Sequence, residues 1–416
     1  MGRILARVAL LFLVAPISAP AIEIMAGHDA TVGIEAGYLQ TSALPSWTEG
    51  FVGKLRYQDD GFVFNRAFLD YKGRLTDTLQ AHIVLEGYDD DLGSVIDFTQ
   101  AYAEWRPIPS SATRYRLKLG AFYPRISMEN IDPGWSSPYT LNSSAINTWV
   151  AEELRSTGAE LTISHRPASL GGTQSFAVNL AAFVANDPAG SLLAWKGWSV
   201  HDRQSRFSDD LPLPPLPQIQ PGMMFAAQDP YVEPFQEIDD EVGYYINAEW
   251  RFDRRLLIRA MHFDNRAVPT AIVNGQYGWA TVFDHVGLQT TLPGDINFIA
   301  QWVNGSTVMG PVVNGAHVVD VEYASYFMLL TRTFEKHRIA VRYDNFDVIE
   351  NDSTPEDDNS EYGHAWTLNY QYRLTDKINL AVEWLSIKTH HCGWVYYGIS
   401  PTATERQTQL ALRVRF

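Results

Sequence analysis

Cysteine is nearly missing. Cys392 stands alone in 416 residues, so no intramolecular disulfide can form. Long apolar runs are missing too: beyond residue 21 nothing approaches the roughly 18 consecutive apolar residues of a transmembrane helix. Positive charge is scarce, with 32 Lys and Arg against 48 Asp and Glu and a net charge of −16. That balance excludes nucleic acid as an expected partner. Catalytic signatures are absent as well: there is no Walker loop, zinc-binding helix motif, Gly-x-Ser-x-Gly or paired-Cys site. His390-His391-Cys392 is no metal triad, because neighbours on an extended segment point to opposite sides. His82, His285 and His364 have no Ser or Asp spacing that favours catalysis, and read as wall residues. Neither an enzyme nor a cofactor is expected.

What is present begins with MGRILARVALLFLVAPISAPAIE. Arg3 and Arg7 precede a short apolar run, and Ala19 and Ala21 mark cleavage after residue 21, so 1–21 reads as a secretory signal peptide. The exported remainder, 22–416, loses two positive charges and goes from −16 to −18. Without disulfides it must rely on a large core or a closed hydrogen-bonded framework. Aromatics make up 12%, which suits a protein with surfaces between apolar and wet surroundings.

The recurring unit is a strand of period two. In 242–252, Val242, Tyr244, Ile246, Ala248, Trp250 and Phe252 alternate with Tyr245, Asn247, Glu249 and Arg251. The same pattern predicts strands over 31–38, 61–75, 77–87, 97–106, 113–122, 156–166, 174–184 and 242–252. It continues over 254–264, 280–292, 294–304, 319–332, 336–347, 362–373, 376–388 and 404–416, sixteen in all. Tight joints such as Leu75-Thr76-Asp77, Phe252-Asp253-Arg254, Leu292-Pro293-Gly294-Asp295 and Leu374-Thr375-Asp376 alternate with long connections. The long ones are 39–60, 88–96, 123–155, 185–241, 265–278, 305–318, 348–361 and 389–403. The segment 185–241 contains LPLPPLPQIQPG and is expected to be an extended, solvated external flap.

Short turns on one side and long loops on the other fit an all-β transmembrane barrel of sixteen antiparallel strands, with short periplasmic turns and long external loops. In hydrocarbon only a closed sheet satisfies its own backbone. One parity would then face lipid. The other carries Arg66, Asp70, Lys72, Arg74, Gln80, His82, Glu86, Gln100, Glu104, Arg116 and Lys118, too many charges for a dry interior. A water-filled lumen is therefore expected. The chain ends TQLALRVRF, and Leu410, Leu412, Val414 and Phe416 resemble the terminal strand by which the insertion machinery recognises bacterial outer-membrane proteins. A soluble exported β-protein and an outer-membrane enzyme or adhesin working through its long loops are the competing classes.

FNRAFLDYKGRLTDTLQAHIVLEGYDD (64–90), DFTQAYAEWRP (97–107) and RLKLGAFYPRISMEN (116–130) resemble the phosphate-selective porin O and P family over about residues 60–165. That resemblance implies a homotrimeric bacterial outer-membrane channel, in contact with lipid and the barrel-assembly machinery, passing small hydrophilic, possibly anionic, phosphate-like solutes by diffusion. It makes 123–155 the constriction loop. Its charged residues are Arg125, Glu129, Asp132, Glu152, Glu153 and Arg155, four acids to two bases and thus −2. Arg66, Lys72, Arg116, Lys118, Arg259, Arg338, Arg342 and Arg413 would line the channel opposite. An acidic loop across from a basic wall would create a transverse field.

Overall fold

The computed structural model describes residues 22–167, 173–253 and 255–416. The expected signal peptide, 1–21, lies outside the described residues, as does Arg254 of one expected turn. Sixteen long strands make the wall: β1 (His28–Ser42), β2 (Gly61–Arg74), β3 (Leu79–Gly87), β4 (Ile96–Trp105), β5 (Thr113–Phe122), β6 (Ser156–His165), β7 (Gln174–Val184) and β8 (Gly243–Phe252) form the first half. The second half is β9 (Leu256–Asp264), β10 (Ala280–Leu292), β11 (Ile296–Val313), β12 (Ala316–Phe334), β13 (His337–Glu350), β14 (Glu361–Arg373), β15 (Ile378–His391) and β16 (Thr402–Arg415). Each pairs antiparallel with the next in sequence, including β7 with β8 across the long 185–242 connection.

Closure comes from β1 and β16, in register from Gly33 opposite Arg415 to Ser42 opposite Arg406. Phe416 completes it: its N–H donates to Val32 O at 2.9 Å, and its carbonyl accepts from Val32 N at 3.1 Å. Just beyond, a short strand, Ile22–Met25, folds back to pair with residues 28–30 of β1. It takes the edge that β16 has vacated. A strand that stops on an aromatic residue thus leaves no open ladder behind it.

Alternation sets the two faces. On β14, Trp366, Leu368 and Tyr370 are exposed, whereas Ala365, Thr367, Asn369 and Gln371 are buried. On β16, Leu410 and Leu412 face out, while Gln409, Ala411 and Arg413 face in. The outward belt continues through Ile246, Val286, Trp302, Leu330 and Val382. Such a belt around a closed barrel is a lipid-facing surface.

The largest departure from the expected boundaries is at one hairpin. Residues 305–318, expected to be a long loop, continue β11 and β12 as a ladder that closes at Asn314-Gly315. Both turn residues have positive φ, 55° and 99°, the requirement of a two-residue hairpin turn. The Asn-Gly pair after Val312-Val313 carried that signal in the sequence.

Deleting Phe416 removes its two backbone hydrogen bonds to Val32, about 1 kcal/mol each. The truncated chain is expected to refold into detergent with a lower yield of the heat-modifiable form on a gel. An unchanged yield would show that the last residue is dispensable.

Candidate functional site

The inside of the barrel is filled from two directions. Loop 123–155 leaves β5 and crosses the lumen, touching walls that are far apart in the sheet. Gly134 N donates to Asp70 on β2 at 3.0 Å, Met128 N to Gln301 on β11 at 2.7 Å, and Leu141 N to Glu383 on β15 at 2.6 Å. Within it α1 (Ala145–Glu153) is buried at every residue. Ser144 caps the helix, and Asp344 accepts from Ala145 N at 3.1 Å, placing negative charge at the positive helix end.

The segment 185–241 is not the expected external flap. It turns back into the barrel and forms α2 (Ser191–Lys196), again buried throughout. Apart from Asp202, residues 186–206 are all buried. The physical reason lies in SLLAWKGW, where Leu192, Leu193, Trp195 and Trp198 need an apolar partner. They find it in inward aromatics at the external ends of the strands. Trp149 of α1 packs edge-to-face on Phe283 at 5.2 Å and Tyr323 at 5.3 Å, and Trp195 packs on Trp279 at 4.7 Å. Even the Pro-rich stretch contributes Leu211, Leu213 and Leu216 to this core. Gly190, with φ 101°, lets α2 start hard against the wall, because a Cβ there would meet the Thr281 and Thr307 hydroxyls.

The two infolded segments pack the half of the barrel on the long-loop side, and open spaces lie toward the short turns. Every charged residue of the loop has a partner inside the barrel. Glu129 pairs with Arg342 at 3.2 Å and Asp132 with Arg415 at 2.6 Å. Glu152 pairs with Lys196 and with His201 Nε2. Glu153 accepts from Leu192 N at 2.8 Å, Gly190 N at 3.1 Å and Trp149 Nε1 at 2.8 Å. Arg125 pairs with Glu249 at 3.2 Å, and Arg155 lies 3.5 Å from the Tyr123 ring centre and donates to Ser205 O. An isolated buried carboxylate would be far costlier than these pairs.

All the wall cations singled out in the sequence turn inward, but they divide into two groups. Arg66, Arg342 and Arg413 are buried against the infolded loop, donating to the carbonyls of Gly134, Asn142 and Ser137. Arg338 likewise donates to Pro138 O. Lys72 and Lys118 instead line an open cavity of about 390 Å³ below the loop, together with Asp70, His82, Tyr102, Arg125 and Trp135; Arg259, itself buried, borders it while donating to the Ile126 and Ser127 carbonyls of the loop. Arg116 belongs to a wider vestibule of about 640 Å³ at the turn end, lined also by Arg106, Arg114, Arg166 and Arg251. None of these last four was among the residues expected to line the channel, although Arg251 already stood on the polar parity of 242–252.

Electrostatically the two spaces are basic. Arg125, Arg251 and Arg259 converge on the single carboxylate of Glu249 at 3.2, 3.5 and 2.9 Å. Arg125 borders both spaces.

No family model matches the chain, and no curated protein matches it. Solved structures do. The outer-membrane channel DcaP of Acinetobacter baumannii aligns with a TM-score of 0.54 at 12% identity, covering 94% of this chain and 98% of that one. The anion-selective porin from Comamonas acidovorans aligns with a TM-score of 0.51 at 11% identity, covering 94% and 99%. The fold is thus the closed barrel of the porins. Its lipid-facing belt and polar inner parity place it in a bacterial outer membrane.

The contact between the two loops should respond to acid. Burial alone would raise the Glu152 carboxyl, but Lys196 and then His201 outweigh it and hold it at about 2, below its ordinary 4.5. A lowered acid stabilises fully above its unfolded value and loses that contribution as pH falls through the folded one. Hydrogen-exchange protection over 186–206 is therefore expected to drop between pH 4.5 and 2, and to drop less in Glu152→Gln. Protection that is flat across that range would disconnect Glu152 from the docking.

Proposed function

We propose that the protein is a passive outer-membrane channel for small hydrophilic solutes that favours anions over cations, and that it assembles as a trimer. The observation that carries this reading is the surplus of arginine at the periplasmic cavity and vestibule of a chain whose net charge is −16. Three arginines on one carboxylate leave net positive charge facing water, and low-dielectric walls focus that field on whatever enters. The resemblance of residues 60–165 to phosphate-selective porins supports the same class of solute. In this reading loop 123–155 sets the constriction and Arg125 is its selective residue.

Reversal potentials in asymmetric KCl across planar bilayers test the preference. The wild type is expected to favour chloride, and Arg125→Gln with Arg251→Gln to shift the ratio toward potassium. Potassium preference in the wild type would overturn the anionic reading, and absence of stepwise current would overturn the channel. Chemical crosslinking in detergent should yield a three-chain band.

The path past the external core is tested separately. Replacing 190–206 with a short Gly/Ser linker is expected to raise single-channel conductance. Equal conductance would show that ions do not pass where this segment lies.

A further inference from the structure

Among the described residues, the Lys and Arg side chains of the sixteen strands turn inward or, like Arg332, sit at the turn end, with two exceptions. Lys388 on β15 and Arg406 on β16 are exposed on the outward parity, between the buried Ile387 and Thr389 and the buried Glu405 and Gln407. Register makes them neighbours. Lys388 stands opposite Thr404 and Arg406 opposite Ser386, so the two are diagonal on one face, about 7 Å apart. Among the described residues neither side chain makes an ion pair or a hydrogen bond. The acids of β14–β16, Glu361, Glu383 and Glu405, are all buried on the inner parity. On the flanks, Asp347 of β13 lies opposite Tyr362, two strands from Lys388, and Asp60 beside β1 is engaged by Thr41 N at 2.7 Å.

Depth explains what this pair can meet. A tilted strand needs about 9–11 residues to cross a membrane. Starting from Ile378 at the turn end, β15 passes Leu380, Val382 and Trp384 on its outward face and reaches the external edge of the hydrocarbon near Lys388. Trp366 shares a row with Ser386 and Arg406, and Trp384 shares the next with Leu368 and Thr408. Aromatic residues at this height mark the interface. The geometry points to a site for one phosphorylated, multiply acylated glycolipid of the outer leaflet. Its phosphate lies between Lys388 and Arg406, and its acyl chains run down over Trp384, Val382, Leu410 and Leu412. The guanidinium gives two parallel donors to the phosphate oxygens and the ammonium a third, while the Ser386 and Thr404 hydroxyls stand beside it. Charge selects this face over the rest of the rim. Around β10–β13 the outward residues at the external end include Asp284, Glu322 and Asp347, which repel a phosphate, whereas β14–β16 present two cations and no outward acid. This inference does not depend on which solute passes.

The test is native mass spectrometry of the detergent-folded full chain titrated with bisphosphorylated, hexa-acylated lipid A, with thermal unfolding in parallel. One saturable adduct per chain and a higher midpoint of unfolding are expected. Lys388→Gln together with Arg406→Gln should weaken binding about tenfold or more, with each single variant in between. Both side chains are exposed and unpaired, so the heat-modifiable band of the variants should match the wild type. Arg332→Gln, outward but at the turn end, should leave binding unchanged. Lipid A stripped of its phosphates should bind the wild type as weakly as intact lipid A binds the double variant. No saturable adduct, or one that survives the double variant, would overturn the site. Phosphatidylglycerol binding as tightly would reduce it to a generic anionic surface, and inorganic phosphate raising the midpoint equally would make it a free-anion site; either result would overturn the glycolipid.

Discussion

Everything in this molecule depends on one backbone constraint: the ladder between β1 and β16 must close. A sheet in hydrocarbon cannot leave a free edge, since each unsatisfied backbone group there costs several kcal/mol. Pairing from Gly33 opposite Arg415 onward removes the edge, the exchange between Phe416 and Val32 finishes it, and Ile22–Met25 covers the last open residues of β1. Once the ring is closed, parity has only one reading. Trp366 and Leu368 must meet lipid, and Thr367 and Asn369 must meet whatever fills the ring.

What fills it is mostly protein. Loop 123–155 and the segment after β7 meet through Glu152 with Lys196 and through Glu153 with the first amides of α2. They turn an inner face written in polar residues into a core with Trp149, Trp195 and Trp198 at its centre. The charges of that face are not wasted on water. Arg342 sits between Glu129 and Asp344, and Arg66 between Glu35 and Glu86. Each pair satisfies two groups that neither lipid nor a dry core could accept. Only toward the turns does the filling end, and there basic side chains that outnumber their carboxylate partners gather around open space.

The strands were legible because lipid enforces strict alternation over nine or more residues, a signal longer than any accidental run. The expected strand over 362–373 and the observed Glu361–Arg373 differ by one residue. Parity then correctly turned Arg66, Lys118, Arg259 and Arg413 inward. The infolding of 185–241 was not legible in the same way. SLLAWKGW is too short to show a period, and its Pro-rich neighbour LPLPPLP reads as exposed chain, while the inward Tyr323 and Phe346 that receive its Trp198 come from two different strands. The partition of the wall cations was equally hidden: Arg342 and Arg116 look alike in sequence, yet one is sealed by the loop and the other faces the vestibule.

By itself the sequence determined that the chain forms a closed antiparallel barrel of sixteen strands, which side chains face lipid, and that TQLALRVRF is its closing strand. Those facts follow from local period and from the chemistry of the solvent on each face. Only the tertiary structure decided how much of the ring stays open. Occupancy of the lumen is a matter of contacts between residues that are far apart in sequence, such as Trp149 with Tyr323 and Leu141 with Glu383, and no local pattern encodes which distant surfaces will meet.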